Sequence, residues 1–181
     1  MSVIAKRTHE LTGAQRARIF RINDEAHAAD HGHNFTAADQ ANAEGGTHFF
    51  VVEGDEIVSH ASVVERELRA GEIALRAGYV EAVATVPSRW RRGLATEVVR
   101  AANDHVAAEY DLGALATGVH AFYERLGWVR WRGPTFVRAP EGLRRTAEED
   151  GGVMVLFTPR TPAGVHLDLP LSCDWREGDV W

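Results

Sequence analysis

Between Thr47 and Val86 the chain runs through three apolar-rich, β-branched segments, "THFFVVE", "EIVSHASVVEREL" and "EIALRAGYVEAVATV", divided by turn residues at Gly54-Asp55 and Arg69–Gly71. Short periods bounded by turn chemistry predict three strands of an antiparallel meander, which Pro87 ends. From Gly93 to Tyr110 the period changes. Ala95, Val98, Val99, Ala102 and Val106 recur at helical spacing and predict a helix with one apolar face. Upstream, "SVIAKRT" predicts a short first strand. Thr12 and Gln15 then have the spacing of a capping box opening a helix to about Ala29, and the loop "DHGHN" follows. Thr36 and Asp39 repeat the cap over a short helix that "EGG" stops. Downstream, "LGALATG" predicts a buried strand and "HAFYERLGW" a short helix closed by Gly127. "VRWRG", "PTFVRAP" and "GGVMVLF" predict the strands of a closing hairpin. The expected class is α+β, a central mixed, mostly antiparallel sheet flanked by helices.

Composition narrows the function classes. No repeat, linker or low-complexity tract divides the 181 residues, so a single domain over 1–181 is expected. The lone cysteine, Cys173, leaves no internal disulfide framework and no cysteine-based zinc site. "MSVIAKRTHE" lacks the apolar stretch of a signal peptide and no run approaches a membrane span, so a cytoplasmic protein with no membrane partner is expected. A net charge of −6 argues against nucleic acid, whose phosphates need a basic footprint, and suits a cationic or neutral small molecule. His27, His31 and His33 could ligate a metal, but without a carboxylate cluster of fixed geometry the reading is no metal.

The chemistry concentrates in "YVEAVATVPSRWRRGLATEVV". A strand runs into a loop carrying Arg91 and Arg92, and Gly93-Leu94-Ala95 opens a long helix. Backbone N–H groups and the positive helix end converge there, which suits a pyrophosphate. The strand "VATVP" ahead of "RRGLA", with "FYERLGW" about thirty residues on, resembles the GNAT superfamily of acetyl-CoA-dependent N-acyltransferases, with Trp90 at the first position of the phosphate-loop motif. "NFTAAD" with "GG" behind it, "GYVEAV", "LGAL", "EEDGGVM" and "CDWREGDVW" together look like the aminoglycoside 2′-N-acetyltransferases, from about Asn34 to Trp181. Asn34 stands where that family usually has Asp, and the segment after "LGAL" is short.

The resemblance implies a GNAT fold, acetyl-CoA as co-substrate, a cationic amino sugar as acceptor and a homodimer. Glu81, a carboxylate among apolar neighbours on a central strand, matches the position that draws a proton from the amine through water. Tyr123 matches the residue that protonates the departing thiolate, a role open to a hydroxyl. Val83 and Thr85 would pair with the pantetheine arm like an added strand, with the Val83 N–H polarising the thioester carbonyl. Arg91, Arg92, Gly93, Leu94 and Ala95 would cradle the pyrophosphate.

A polycationic acceptor needs fixed carboxylates. The candidates carried from the resemblance are Asp39, Glu81, Glu149, Asp150, Asp174, Asp179 and Trp181 with its α-carboxylate, together with Asn34 at the position where the family usually has Asp. Asp39 could instead serve only as a cap, and Glu148 to Asp150 as a solvated turn. The terminal "LSCDWREGDVW" interleaves Asp174 and Asp179 with Trp175 and Trp181, so both tryptophans are expected to pack residues 171–181 against the body and close the substrate pocket. Two other readings remain open: a GNAT acting on a polyamine or a protein N-terminus, and a non-catalytic protein that binds a cationic ligand.

Overall fold

The computed structural model describes residues 2–31 and 34–181, so His33 lies outside the described residues. In chain order the elements are β1 (Val3–Arg7), α1 (Gly13–His31), α2 (Ala37–Ala43), β2 (Thr47–Glu53), β3 (Glu56–Ala70), β4 (Ile73–Thr85) and α3 (Leu94–Glu109). Then come β5 (Leu112–Ala116), α4 (His120–Glu124), β6 (Val129–Arg130), β7 (Thr135–Ala139), β8 (Gly142–Arg145), β9 (Val153–Phe157) and β10 (Leu171–Asp174). The class is α+β with a mixed sheet, as the pattern predicts. Both capping boxes form. Thr12 Oγ1 accepts from the Gln15 N–H at 3.1 Å while Gln15 Oε1 accepts from the Thr12 N–H at 3.0 Å, and Thr36 and Asp39 repeat the exchange. Each cap satisfies donors that a helix start leaves open.

The chain packs as two compact units, Met1–Val64 with Val80–Ala102, and Glu65–Tyr79 with Asn103–Trp181. In the first, β1, β2 and β3 pair antiparallel, in register at Ile4↔Phe50 and Phe50↔His60, with a bulge between Val51 and Val52. Phe49, Phe50, Val51, Ile57, Val58, Ala61 and Val63 are buried there, as are Ile19 and Ile22 of α1 and Val98, Val99 and Ala102 of α3. Burying a large apolar side chain contributes about 1.5–3 kcal/mol, which fixes the register of these strands.

In the second unit the strand order is β6-β9-β5-β4-β3-β10-β7-β8. β5 lies parallel to β4, as a helical crossover requires, and β10 lies antiparallel to β3 and parallel to β7. A Cβ on Gly78 would sit 2.7 Å from Tyr110 and 2.9 Å from Val106, a closeness that only glycine permits. Trp128 and Trp131 fill the core, and their indole N–H groups bond Asn103 Oδ1 at 3.0 Å and the Leu169 carbonyl at 2.8 Å.

The closing hairpin differs from expectation. β7 turns back onto β8, while "GGVMVLF" forms β9 and pairs with β5 and β6. "GLRR" has no alternation because all four residues of β8 are exposed at an edge, where arginines discourage further pairing. Past Arg130 the chain leaves strand geometry, and the Arg132 and Gly133 N–H groups both donate to the Leu167 carbonyl.

Among the described residues no group of three or more His, Cys, Asp or Glu side chains could hold a metal ion. No helix is long and apolar enough to cross a membrane.

Candidate active site

The β4–β5 ladder runs Ala77↔Leu112, Gly78↔Gly113 and Tyr79↔Ala114 and ends there, while β4 continues to Thr85. Within that continuation Ala82 has φ 50, a left-handed conformation that costs a residue with a Cβ about 1–2 kcal/mol. Strain of this kind persists only where neighbours over-determine it. Here they do. Ser62 Oγ donates to the Glu81 carbonyl at 3.2 Å and Ser59 Oγ to the Ala84 carbonyl at 3.2 Å. His60 Nδ1 lies 2.8 Å from the Ala82 carbonyl, and the Trp90 indole N–H donates to the Thr85 carbonyl at 2.7 Å. Glu81, Ala82 and Val83 are half-buried on this turn.

After the single turn Pro87–Arg89, Arg91 takes φ 62 and Gly93 φ 81, and α3 begins at Leu94. Nothing lies within 4 Å of where a Gly93 Cβ would stand. A bare backbone facing open space, the N-terminus of a sixteen-residue helix and the exposed Arg91 fit a diphosphate. Arg92 is otherwise engaged. With Arg89 it holds Glu53, each at 2.9 Å, and those hydrogen bonds keep the Glu53 carboxyl below its ordinary range.

In the second unit Tyr123 is the buried residue of α4, with its ring edge-on to Phe122 at 4.9 Å and to Trp128 at 6.0 Å. Its carbonyl accepts from the Leu126 and Trp128 N–H groups at 2.8 and 3.2 Å, closing the helix into the Gly127 turn.

The chain end is held by named bonds. Buried Arg66 donates to Asp174 Oδ1 at 2.9 Å, to the Asp174 carbonyl at 2.7 Å and to the Val180 carbonyl at 2.8 Å. Its guanidinium lies 4.8 Å from the Tyr79 ring centroid and that of Arg176 lies 5.4 Å from the same ring. Arg176 in turn donates to the main-chain oxygens of Asp179 and Trp181 at 2.6 and 3.1 Å. Trp181 is 3% exposed, and its indole N–H donates to Thr146 Oγ1 at 3.0 Å. Thr146 continues to Thr135, which meets Asp150 at 3.0 Å. Trp175 departs from expectation: it is 49% exposed, and the anchoring falls to Trp181 alone. The carbonyl of Val180 draws the tail back onto Arg66 and Cys173, and Trp175 stays on the outer side of that bend.

The carboxylates divide by environment. Arg145 and Thr135 hold Asp150 and bring its carboxyl down to about 2. Burial, and the charges of Asp179 and Glu148, push Glu149 up. Burial pushes the Cys173 thiol up to about 11, so at neutral pH it is no nucleophile.

Residues 7–130, which contain this strand, loop and helix start, match the family model described as an acetyltransferase (GNAT) domain. The chain belongs to the GNAT acetyltransferase family. It is 42% identical over 179 residues, 96% of this chain and 89% of the relative, to an aminoglycoside 2′-N-acetyltransferase of Mycolicibacterium fortuitum. Solved structures share the fold. Escherichia coli ElaA superposes with a TM-score of 0.62 at 11% identity, over 86% of this chain and 98% of that one. The ribosomal-protein-S18-alanine N-acetyltransferase of Escherichia coli gives 0.59 at 16% identity, over 91% and 99%. Eis1 of Mycobacterium abscessus gives 0.60 at 15% identity over 75% of this chain, which spans 33% of Eis1. The GCN5-related N-acetyltransferase of Kribbella flavida is likewise matched over only 35% of its length.

In this acetyltransferase Glu81, Val83, Thr85 and Arg91 to Ala95 fall in the first unit, with Asn34 and Asp39 at the α2 cap. Asn34 is exposed, and Asp39 Oδ2 accepts from both the N–H and the hydroxyl of Thr36 at 2.8 Å. Tyr123, Glu149, Asp150, Asp174, Asp179 and Trp181 fall in the second. Ser59, His60, Ser62 and Arg66 escape a reading of the sequence for chemistry. Their signal is there all the same: polar side chains inside the otherwise apolar "IVSHASVVER" need buried partners.

Proposed function

We propose that the acetyltransferase moves an acetyl group from acetyl-CoA to the 2′-amine of an aminoglycoside, by direct attack in a ternary complex, and so confers antibiotic resistance. The observation that carries this reading is the 42% identity to an aminoglycoside 2′-N-acetyltransferase over nearly the whole chain. The charge pattern supports it. The charges of Asp179 and Glu148 add to burial in raising Glu149, a local negative potential of the kind a polycation site needs. Asp39, Asp150 and Asp174 already have partners, so they contribute through fixed oxygens rather than free charges. Asn34 and Asp39 are the proposed acceptor contacts of the first unit, and Asp150, Asp174, Asp179 and Trp181 those of the second.

In the transfer, Glu81 takes the proton of the attacking amine through water, and the Val83 N–H stabilises the oxyanion as the carbon–nitrogen bond forms. The carbon–sulfur bond then breaks, and the Tyr123 hydroxyl gives its proton to the departing thiolate, releasing amide and coenzyme A. Val83 and Thr85 align the pantetheine arm, and the backbone from Arg91 to Ala95 receives the diphosphate, with Arg92 kept near by Glu53. The working form is a cytoplasmic homodimer.

The test compares thiol release from acetyl-CoA with an aminoglycoside bearing a 2′-amine and one bearing a 2′-hydroxyl. Release with the first alone is expected. Release only with a polyamine or a peptide N-terminus would move the enzyme to another acceptor, and drug binding without release would make it a binding protein.

A further inference from the structure

The strained turn at Ala82 sits at the end of a chain of hydrogen bonds that begins outside the strand. Thr8 Oγ1 lies 2.9 Å from His48 Nε2, His48 Nδ1 lies 2.9 Å from His60 Nε2, and His60 Nδ1 lies 2.8 Å from the Ala82 carbonyl. Both histidines are fully buried. They come together because β2 and β3 set His48 opposite Ser62, which makes His60 its diagonal neighbour on the same face.

The end of the chain dictates its direction. A carbonyl only accepts, so His60 carries its hydrogen on Nδ1 and accepts on Nε2. His48 must then donate from Nδ1 and accept on Nε2, and Thr8 must donate to it. Thr8 Oγ1 itself accepts from the Gly45 N–H at 3.0 Å, and its one hydrogen goes to His48 at 2.9 Å in preference to the Gly46 carbonyl at 3.2 Å. Every donor thus points toward Ala82 and both rings are neutral. Burial agrees, bringing His48 down to about 4 and His60 to about 3. Because the chain stops on an amide carbonyl, it delivers no proton to Glu81. What it delivers is position.

We propose that His60, aligned by His48 and assisted by Ser62, is a positioning residue for acetyl transfer, holding the Ala82 and Glu81 carbonyls so that the left-handed turn aims the Glu81 carboxylate and the Val83 N–H. The proposal rests on the roles given to Glu81 and Val83 above. An uncharged, oriented histidine suits this role, because it donates one strong bond at a fixed angle and brings no charge beside the catalytic carboxylate. Ser62, His60 and Ser59 of β3 hold the carbonyls of Glu81, Ala82 and Ala84 around the left-handed alanine, which makes the turn a single maintained state rather than one of several.

Two substitutions at one position separate positioning from bulk. His60→Asn keeps an N–H close to the place of Nδ1 and can still hold the Ala82 carbonyl. His60→Gln carries its amide farther out, near the place of Nε2, where it meets His48 and releases Ala82. Single-turnover rates are measured at saturating acetyl-CoA and aminoglycoside, well below the melting temperature of each variant, with the dissociation constant of acetyl-CoA measured in parallel. His60→Gln is expected to lower the rate about tenfold or more with less than about a twofold change in acetyl-CoA binding, while His60→Asn stays within about threefold of wild type. Ser62→Ala, a small change that keeps the fold if His60→Gln does not, should lower the rate about threefold in the same manner. Equal rates for the Asn and Gln variants, or an unchanged rate in Ser62→Ala should His60→Gln not fold, would overturn the positioning role. Absence of turnover in wild type would instead overturn the proposed reaction, so the two failures are distinct.

Discussion

Glu149 and Asp150 are neighbours in sequence with opposite surroundings: one is raised by burial and nearby negative charge, the other is lowered by Arg145. A reading of "EEDGG" cannot separate them, because the partner of Asp150 is an arginine on a strand whose pattern is unreadable. Asp174 is the same case, since its partner Arg66 lies 108 positions away. Residue types were legible and their electrostatic partners were not. Glu81 and Tyr123 differ in what each substitution should remove. Tyr123→Phe is expected to slow single-turnover acetyl transfer while leaving aminoglycoside affinity near wild type, and Glu81→Gln to reduce both, each rate falling by roughly ten- to ten-thousand-fold. Rapid-quench kinetics with calorimetric titration of the drug check this. An unchanged chemical rate in Tyr123→Phe would remove it as the acid.

At the scale of elements, the meander, the capped helices and the crossover helix were legible because burial imposes period 2 or 3.6 on long segments. β8 and β10 were not. β8 is exposed along its length, and β10 is four residues whose partners, Leu68 to Ala70 and Thr135 to Arg138, lie far off in sequence. From the residue pattern the left-handed turn of β4 is legible only as a strand, since its shape depends on side chains of β3; a splay at this point is implied by the family resemblance alone. That dependence has a consequence for stability. His48 and His60 stay neutral when folded, with burial as the leading cause; Glu44 opposes the shift of His48 and Arg16 adds to it. As pH falls below their ordinary value of 6.5, the unfolded chain takes up protons that the folded one refuses until about 4 and 3. Stability is therefore full above about pH 7 and is lost on acidification, by on the order of 2 kcal/mol per histidine between pH 7 and 5. Urea unfolding at the two values should register this loss, with a smaller pH slope in His60→Asn. An equal slope in that variant would mean His60 is protonated in the native state.

For the molecule as a whole, net charge, family motif and terminal segment each support the proposed chemistry, a polycationic amine brought to a thioester. The −6 charge suits the cationic acceptor of the proposed reaction, and Glu149, raised by burial and by Asp179 and Glu148, is a candidate place for it. The tail was legible as something held in place, and Trp181 does hold it, through Thr146 and Arg176. Which tryptophan would anchor was not legible, since alternation in a short irregular segment fixes no face. The central claim is regiospecific transfer to one nitrogen of a substrate that carries several. The direct measurement is the structure of the product: an aminoglycoside with a free 2′-amine is incubated with acetyl-CoA and enzyme, and the product is read by mass and by two-dimensional NMR. A single added acetyl, on the 2′-nitrogen, is the predicted result. Acetylation at another amine, or at several, would contradict it.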